Sequence, residues 1–162
     1  MTSFDKIMVA IDFSNYTEPI FRFAADLARR LEAGLMVASI INERDLNAVS
    51  SIVSMGYEVD GNHYVEGVSQ QRRAKLQELI RKVQMDPQEV EIILKVGHPV
   101  RELLRIIVEK DVDMVVMGVK GRSDLREVLV GSAAEKVFRR SPVTVVSYRD
   151  PKQAERLRKR IH

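Results

Sequence analysis

Strand-like and helix-like segments alternate along almost the whole of this 162-residue chain, and that alternation limits the folds open to it. Apolar runs at 6–11, 35–41, 90–96, 112–117 and 142–148 are short and bounded by polar residues, as buried strands are. Between them the apolar residues recur with helical spacing. Ile20, Ala24, Leu27 and Leu31 form one stripe within 15–33. Leu76, Leu79, Ile80 and Val83 form a second, and Val100, Leu103, Leu104 and Ile107 a third. A fourth helix is predicted over 132–139. Strands buried on both faces and separated by helices imply a parallel sheet with helices on each side. Pro19 fits only in a first helical turn, Gly34 is placed to end the first helix, and Asp86-Pro87 to end the second.

One segment resists this reading. Residues 42–67 mix short apolar groups with Gly56, Gly61 and Gly67 and show no sustained period. Part of the segment reads as helical. A surface insertion and a lid over a ligand are both compatible with it. His63, inside it, receives no role, and His98, near a helix start, reads as a neutral turn histidine, with a phosphate contact as the alternative.

The chemistry concentrates around Met117-Gly118-Val119-Lys120-Gly121 and Val130-Gly131-Ser132. The glycines follow an apolar strand and the Gly-Ser pair opens an amphipathic run through Ala134, Val137 and Phe138. Strand, glycine-rich loop and helix start form an arrangement suited to phosphate. Glycines admit close approach of an anion, and the first helical N–H groups lack internal partners. The pattern is neither a Walker A loop nor a dinucleotide fingerprint. A plain strand-to-helix turn, with Ser132 and Glu135 as a capping box, explains the same residues.

In full the motif is Gly-x2-Gly-x9-Gly-Ser, and with it the chain resembles the nucleotide-binding branch of the universal stress protein family. Lys6-Ile7-Met8-Val9-Ala10-Ile11-Asp12-Phe13-Ser14 is similar to that family's first strand. The resemblance spans about residues 4–148. It implies a single doubly wound α/β sandwich whose five-stranded parallel sheet has the order 3-2-1-4-5. The family's second strand often ends in a His before an apolar residue, where this chain has Ser39-Ile40.

The resemblance also implies an adenine-nucleotide site, for ATP or AMP with Mg or Mn. Ile40 would meet adenine through backbone groups, Ala10, Ile11 and Asp12 would line the base and ribose, and Met117 and Gly118 would border the ribose. Gly121, Gly131, Ser132 and Ala133 would hold phosphates, with Lys120 and Arg122 as secondary charge-neutralising groups. Asp12 is open to three uses: a ribose contact, a neighbour of a phosphate-bound divalent cation, or a cap on the following turn. No motif places an acid or amide to orient water, so no catalytic residue is assigned. The expectation is a nucleotide-binding stress-response regulator whose loop and partner surface follow occupancy. A slow ATP hydrolase and a nucleotide-free interaction module are the alternatives. Homodimers are implied, and Val143, Val145 and Val146 make a final strand suited to edge pairing.

Composition narrows the rest. The chain has no cysteine, which removes disulfides, thiolate nucleophiles and cysteine-type zinc sites. The net charge is +3, but residues 149–162 hold six Lys/Arg against two Asp/Glu, leaving the body with 20 against 21. Such a body has no nucleic-acid-like charge excess. No apolar run approaches the ~20 residues of a membrane span. Asp5 and a strand within six residues of the start argue against a signal peptide, so a cytoplasmic protein is expected. The basic tail, 149–162, reads as a solvated terminus, and deleting residues 151–162 is expected to leave folding and affinity nearly unchanged. A short helix capped by Asp150 is the other reading.

Overall fold

A computed structural model describes residues 3–56, 61–119 and 132–161. Gly121, Gly131, Lys120 and Arg122 lie outside the described residues. In chain order the elements are β1 (Lys6–Ala10), α1 (Thr17–Leu31), β2 (Gly34–Asn42), α2 (Glu43–Ser54), α3 (Gly61–Lys82) and β3 (Val90–Gly97). They continue with α4 (Pro99–Glu109), β4 (Met114–Gly118), α5 (Ser132–Arg140), β5 (Thr144–Tyr148) and α6 (Pro151–Arg158).

The five strands form one sheet in the order β3-β2-β1-β4-β5, and every pairing is parallel. Strand periodicity divides the core into two layers. Ile7 and Val9 point to one face, where Ile20, Phe21, Ala24 and Ala28 of α1 and Leu76, Leu79 and Ile80 of α3 cover them. Met8 points to the other, under Val100, Leu103, Ile106 and Ile107 of α4 and Val137 of α5. Alternation along β1 thus feeds both faces, as a strand in the middle of a doubly wound sheet requires. Each fully buried Ile, Val, Leu, Met or Phe among them contributes ~1.5–3 kcal/mol of transfer free energy.

Three helices stop in one way. α1, α3 and α4 are followed by Glu32, Gln84 and Asp111 with φ of 53°, 59° and 51°. In each case the next residue's N–H returns to the carbonyl five positions back: Ala33 to Ala28, Met85 to Ile80, Val112 to Ile107. This is the Schellman closure, with a non-glycine residue in the left-handed position. Gly34 therefore does not end α1. It is the first residue of β2, paired with Lys6. Asp86-Pro87 does not end α3 either, because Gln84 has already turned the chain. Pro19 does lie in the first turn of α1.

Residues 42–67 hold two helical pieces, α2 and the beginning of α3, and Gly67 lies inside α3. None of the described α2 side chains is fully buried, and the buried residues of α3 start only at Arg72. The tail also differs from a solvated terminus. Asp150 caps α6 in a reciprocal capping box with Gln153, and Gln153 is buried. Asp150 and Gln153 close against Tyr16, Ile20, Gly118, Val119 and Tyr148, so α6 rests on the body beside the end of β4.

Candidate functional site

The strand order reverses at β1, whose neighbours β2 and β4 lead to helices on opposite faces. The crevice outside the carboxyl ends of such strands is where ligands of open α/β sheets bind. A cavity of about 410 Å³ occupies that place. It falls in the ~300–1,000 Å³ range of small-molecule sites.

The β4 side of the cavity is made largely of backbone. β4 ends at Met117 and Gly118, and α5 starts at Ser132, with Ser132, Ala133 and Ala134 facing the cavity. Ser132 is the first described residue of α5, so its hydroxyl lies at the described start of that helix, where the first-turn N–H groups lack partners within the helix. Gly118, Ser132, Ala133 and Ala134 carry no side chain or a small one.

β1 supplies the middle. Ile11 N–H still donates to Ala38 carbonyl at 2.9 Å, which carries the ladder one residue past the strand. The chain then turns sharply. An Asp12 carboxylate oxygen accepts from Ser14 N–H at 3.1 Å, and Ser14 Oγ accepts from Tyr16 N–H at 3.2 Å. Between them Phe13 carries φ of 59°. Asp12 thus acts as a turn cap, one of its three anticipated uses, while still lining the cavity.

The β2 side is made of side chains. Ala38, Ile40 and Asn42 come from the strand, Asp45 from α2 and Arg72 from α3. Pro99 and Leu103 of α4 and Ile20 of α1 complete the apolar lining. Asn42 Oδ1 accepts from Arg44 N–H at 3.1 Å, holding the start of α2 at the strand end. Arg72 donates from Nη1 to Ser39 Oγ at 2.9 Å and to Ile40 carbonyl at 3.2 Å. Its guanidinium carbon lies 5.1 Å from the centre of the Phe13 ring, a cation–π contact. Gly97, at the end of β3, has a steric reason to be glycine. A Cβ there would stand 2.8 Å from Glu102 Cγ.

All eight anticipated site residues that are described, Ala10, Ile11, Asp12, Ile40, Met117, Gly118, Ser132 and Ala133, line this one cavity. Gly121, Gly131, Lys120 and Arg122 are outside the described residues. His98 caps the start of α4 next to Pro99, and its Nδ1 is buried with no partner among the described residues. Among the described residues, no three His, Cys, Asp or Glu come together as a metal cluster. No helix of the described residues is long and apolar enough to cross a membrane. The sequence reasoning missed Arg72, Asn42 and Asp45. Arg72 carried a signal: one turn back from Leu76, Leu79, Ile80 and Val83 the same stripe reaches a cation where a core residue is due.

Residues 3–149 match the family model described as the universal stress protein family. A universal stress protein of Methanocaldococcus jannaschii is 24% identical over 153 residues, covering 88% of this chain and 94% of that protein. A universal stress protein solved in complex with cAMP superposes with a TM-score of 0.61 at 20% identity, covering 91% of this chain and 98% of the other. One from Archaeoglobus fulgidus, solved in complex with dAMP, also gives 0.61, at 21% identity and coverage of 91% and 100%. With its sheet order, its strand-end cavity and this match over nearly its full length, the chain belongs to the universal stress protein family.

Proposed function

We propose that this protein binds an adenine nucleotide, ATP or AMP, in the cavity at the ends of β1, β2 and β4, and acts as a stress-response regulator in the cytoplasm. The observation that carries the reading is the convergence of the eight described motif residues on one cavity of nucleotide size. The related proteins solved with cAMP and dAMP support the choice of ligand class. The phosphates belong on the β4 side, where the start of α5 offers N–H donors and the Ser132 hydroxyl. The base belongs on the β2 side, two strand spacings or roughly 10 Å away. Mg or Mn would arrive as a phosphate-bound ion, with Asp12 as the nearby carboxylate, since such ions commonly take one or two carboxylates and keep phosphate and water as their other ligands.

Occupancy would act through residues 118–131, and so present or withdraw a face for a protein partner. Hydrolysis plays no part in this reading, because no described side chain is positioned by a motif to orient water. A homodimer through β5 fits the same picture: β5 is an edge strand with Val145 and Val146 only half-buried. Light scattering should then give twice 18.5 kDa, and a mass of one chain at all concentrations would remove the dimer.

The direct test is mass spectrometry of small molecules released from the purified protein, followed by calorimetric titration of whatever is found. Release of an adenine nucleotide that rebinds supports the reading. A protein that releases none and gives no heat with ATP or AMP is an interaction module instead.

A further inference from the structure

Val119 lies one residue past the last ladder pair of β4, Gly118 with Tyr148, yet it is only 5% exposed. The tail helix helps to cover it. Val119 meets Asp150 and Gln153 at the start of α6, with Ile20 and Tyr148 beside them, and the gap left between these residues is too small for water. Gln153 is itself buried. Its Oε1 accepts from Asp150 N–H at 3.2 Å, and Asp150 Oδ1 accepts from Gln153 N–H at 2.9 Å. Both side chains are therefore tied to the helix start.

Val119 is also the first variable residue of the Gly-x2-Gly segment, and Gly121 follows within two residues, about 7 Å of chain at full extension. This inference rests on the nucleotide reading above, which gives Gly121 and the start of α5 to the phosphates and the ends of β1 and β2 to the base and ribose. Ile20 and Gly118 belong both to the contact under α6 and to the cavity wall. A close-packed contact passes on a displacement and does not absorb it. Lifting α6 would free Val119 and the path to Gly121, while the ladder between β1 and β2 keeps the base side in place.

We propose that Gln153 is a positioning residue for the phosphate side, acting through Val119, and that docking of α6 and binding of nucleotide phosphates stabilise each other. Coupling of two equilibria is reciprocal. A docked α6 tightens phosphate binding, and bound phosphate holds α6 down, so occupancy is reported at the basic tail.

Calorimetry titrates ATP, AMP and adenosine into the full wild-type chain and into Gln153→Ala. The variant should lose about fivefold or more in affinity for whichever nucleotide wild type binds more tightly, and about twofold at most for adenosine. Val119→Ala trims the other side of the same contact and should show the same split, with the double variant losing little more than the worse single one. Equal losses for nucleotide and adenosine, or no loss, in natively folded Gln153→Ala overturn the inference. Should the variants not fold, or adenosine bind too weakly to compare, amide hydrogen exchange on wild type carries the test. Ala154 and Lys159 N–H donate to the Asp150 and Glu155 carbonyls at 3.0 and 3.1 Å, so their exchange reports opening of α6. A terminal helix opens locally, and saturating nucleotide should slow that exchange about fivefold or more. Exchange that ignores nucleotide overturns the inference. A wild-type chain that binds none of the three ligands removes the nucleotide reading and this inference together, whereas nucleotide binding without the split or the slowed exchange removes only the inference.

Discussion

The two sides of the cavity are made of different material. On the β4 side, Gly118, Ser132, Ala133 and Ala134 offer main chain and very small side chains, next to the start of a helix. On the β2 side, Arg72, Asn42 and Asp45 offer long or polar side chains from three elements. A surface of backbone donors recognises any group with the charge and shape of phosphate, and few substitutions alter it except those that fill the space beside it. A surface of side chains is specific to the functional groups it faces and can be retuned one residue at a time. On the proposed function the first side would serve affinity and the second identity, so changes on one side should have signatures distinct from changes on the other.

The largest expected effect tests the backbone side. Gly131→Val, in the Gly-Ser pair before α5, should weaken ATP about 100-fold or more by obstructing approach of phosphate, with adenosine nearly unaffected. Equal loss for both ligands would mean that the two sides are not separable. Next comes the support behind that side. Deleting residues 151–162 removes the Asp150 capping box and the buried Gln153 beside Gly118 and Val119. Loss of the cap and of the packed polar group should cost ~1–2 kcal/mol in urea denaturation. No change in midpoint would mean that α6 does not pack on the body. The smallest effect sharpens the contrast: Ser132→Ala removes one hydroxyl and leaves the helix N–H groups, so ATP affinity should fall by only about fivefold, or ~1 kcal/mol. A collapse to the level of Gly131→Val would make the side chain, not the backbone, the main phosphate contact.

The contrast also explains what could be read before the structure was known. All five strands and the helices with continuous apolar stripes were legible, because a doubly buried strand and a half-buried helix impose distinct periods. The sheet order came from family resemblance, since pairing between distant strands leaves no local mark. The β4 side announced itself through glycine spacing, as backbone sites do. The β2 side was hidden for physical reasons. None of the described α2 side chains is fully buried, and so it shows no strong stripe. Arg72 stands in the core stripe of α3 and reads as an interruption of it. The ends of α1 and α3 were misplaced because Glu32 and Gln84 adopt the left-handed closure usually given to glycine. The tail helix was underestimated because a single cap and one buried glutamine, not an apolar face, hold it.

The central claim is that one ligand spans both sides of this cavity. Amide chemical-shift mapping during titration with AMP tests it most directly. The account predicts saturable shifts at Ala10–Asp12, Ile40, Gly118 and Ser132–Ala133 within a single binding isotherm. Shifts confined to one side, or gathered on β5 and α6 with none at the strand ends, would contradict it.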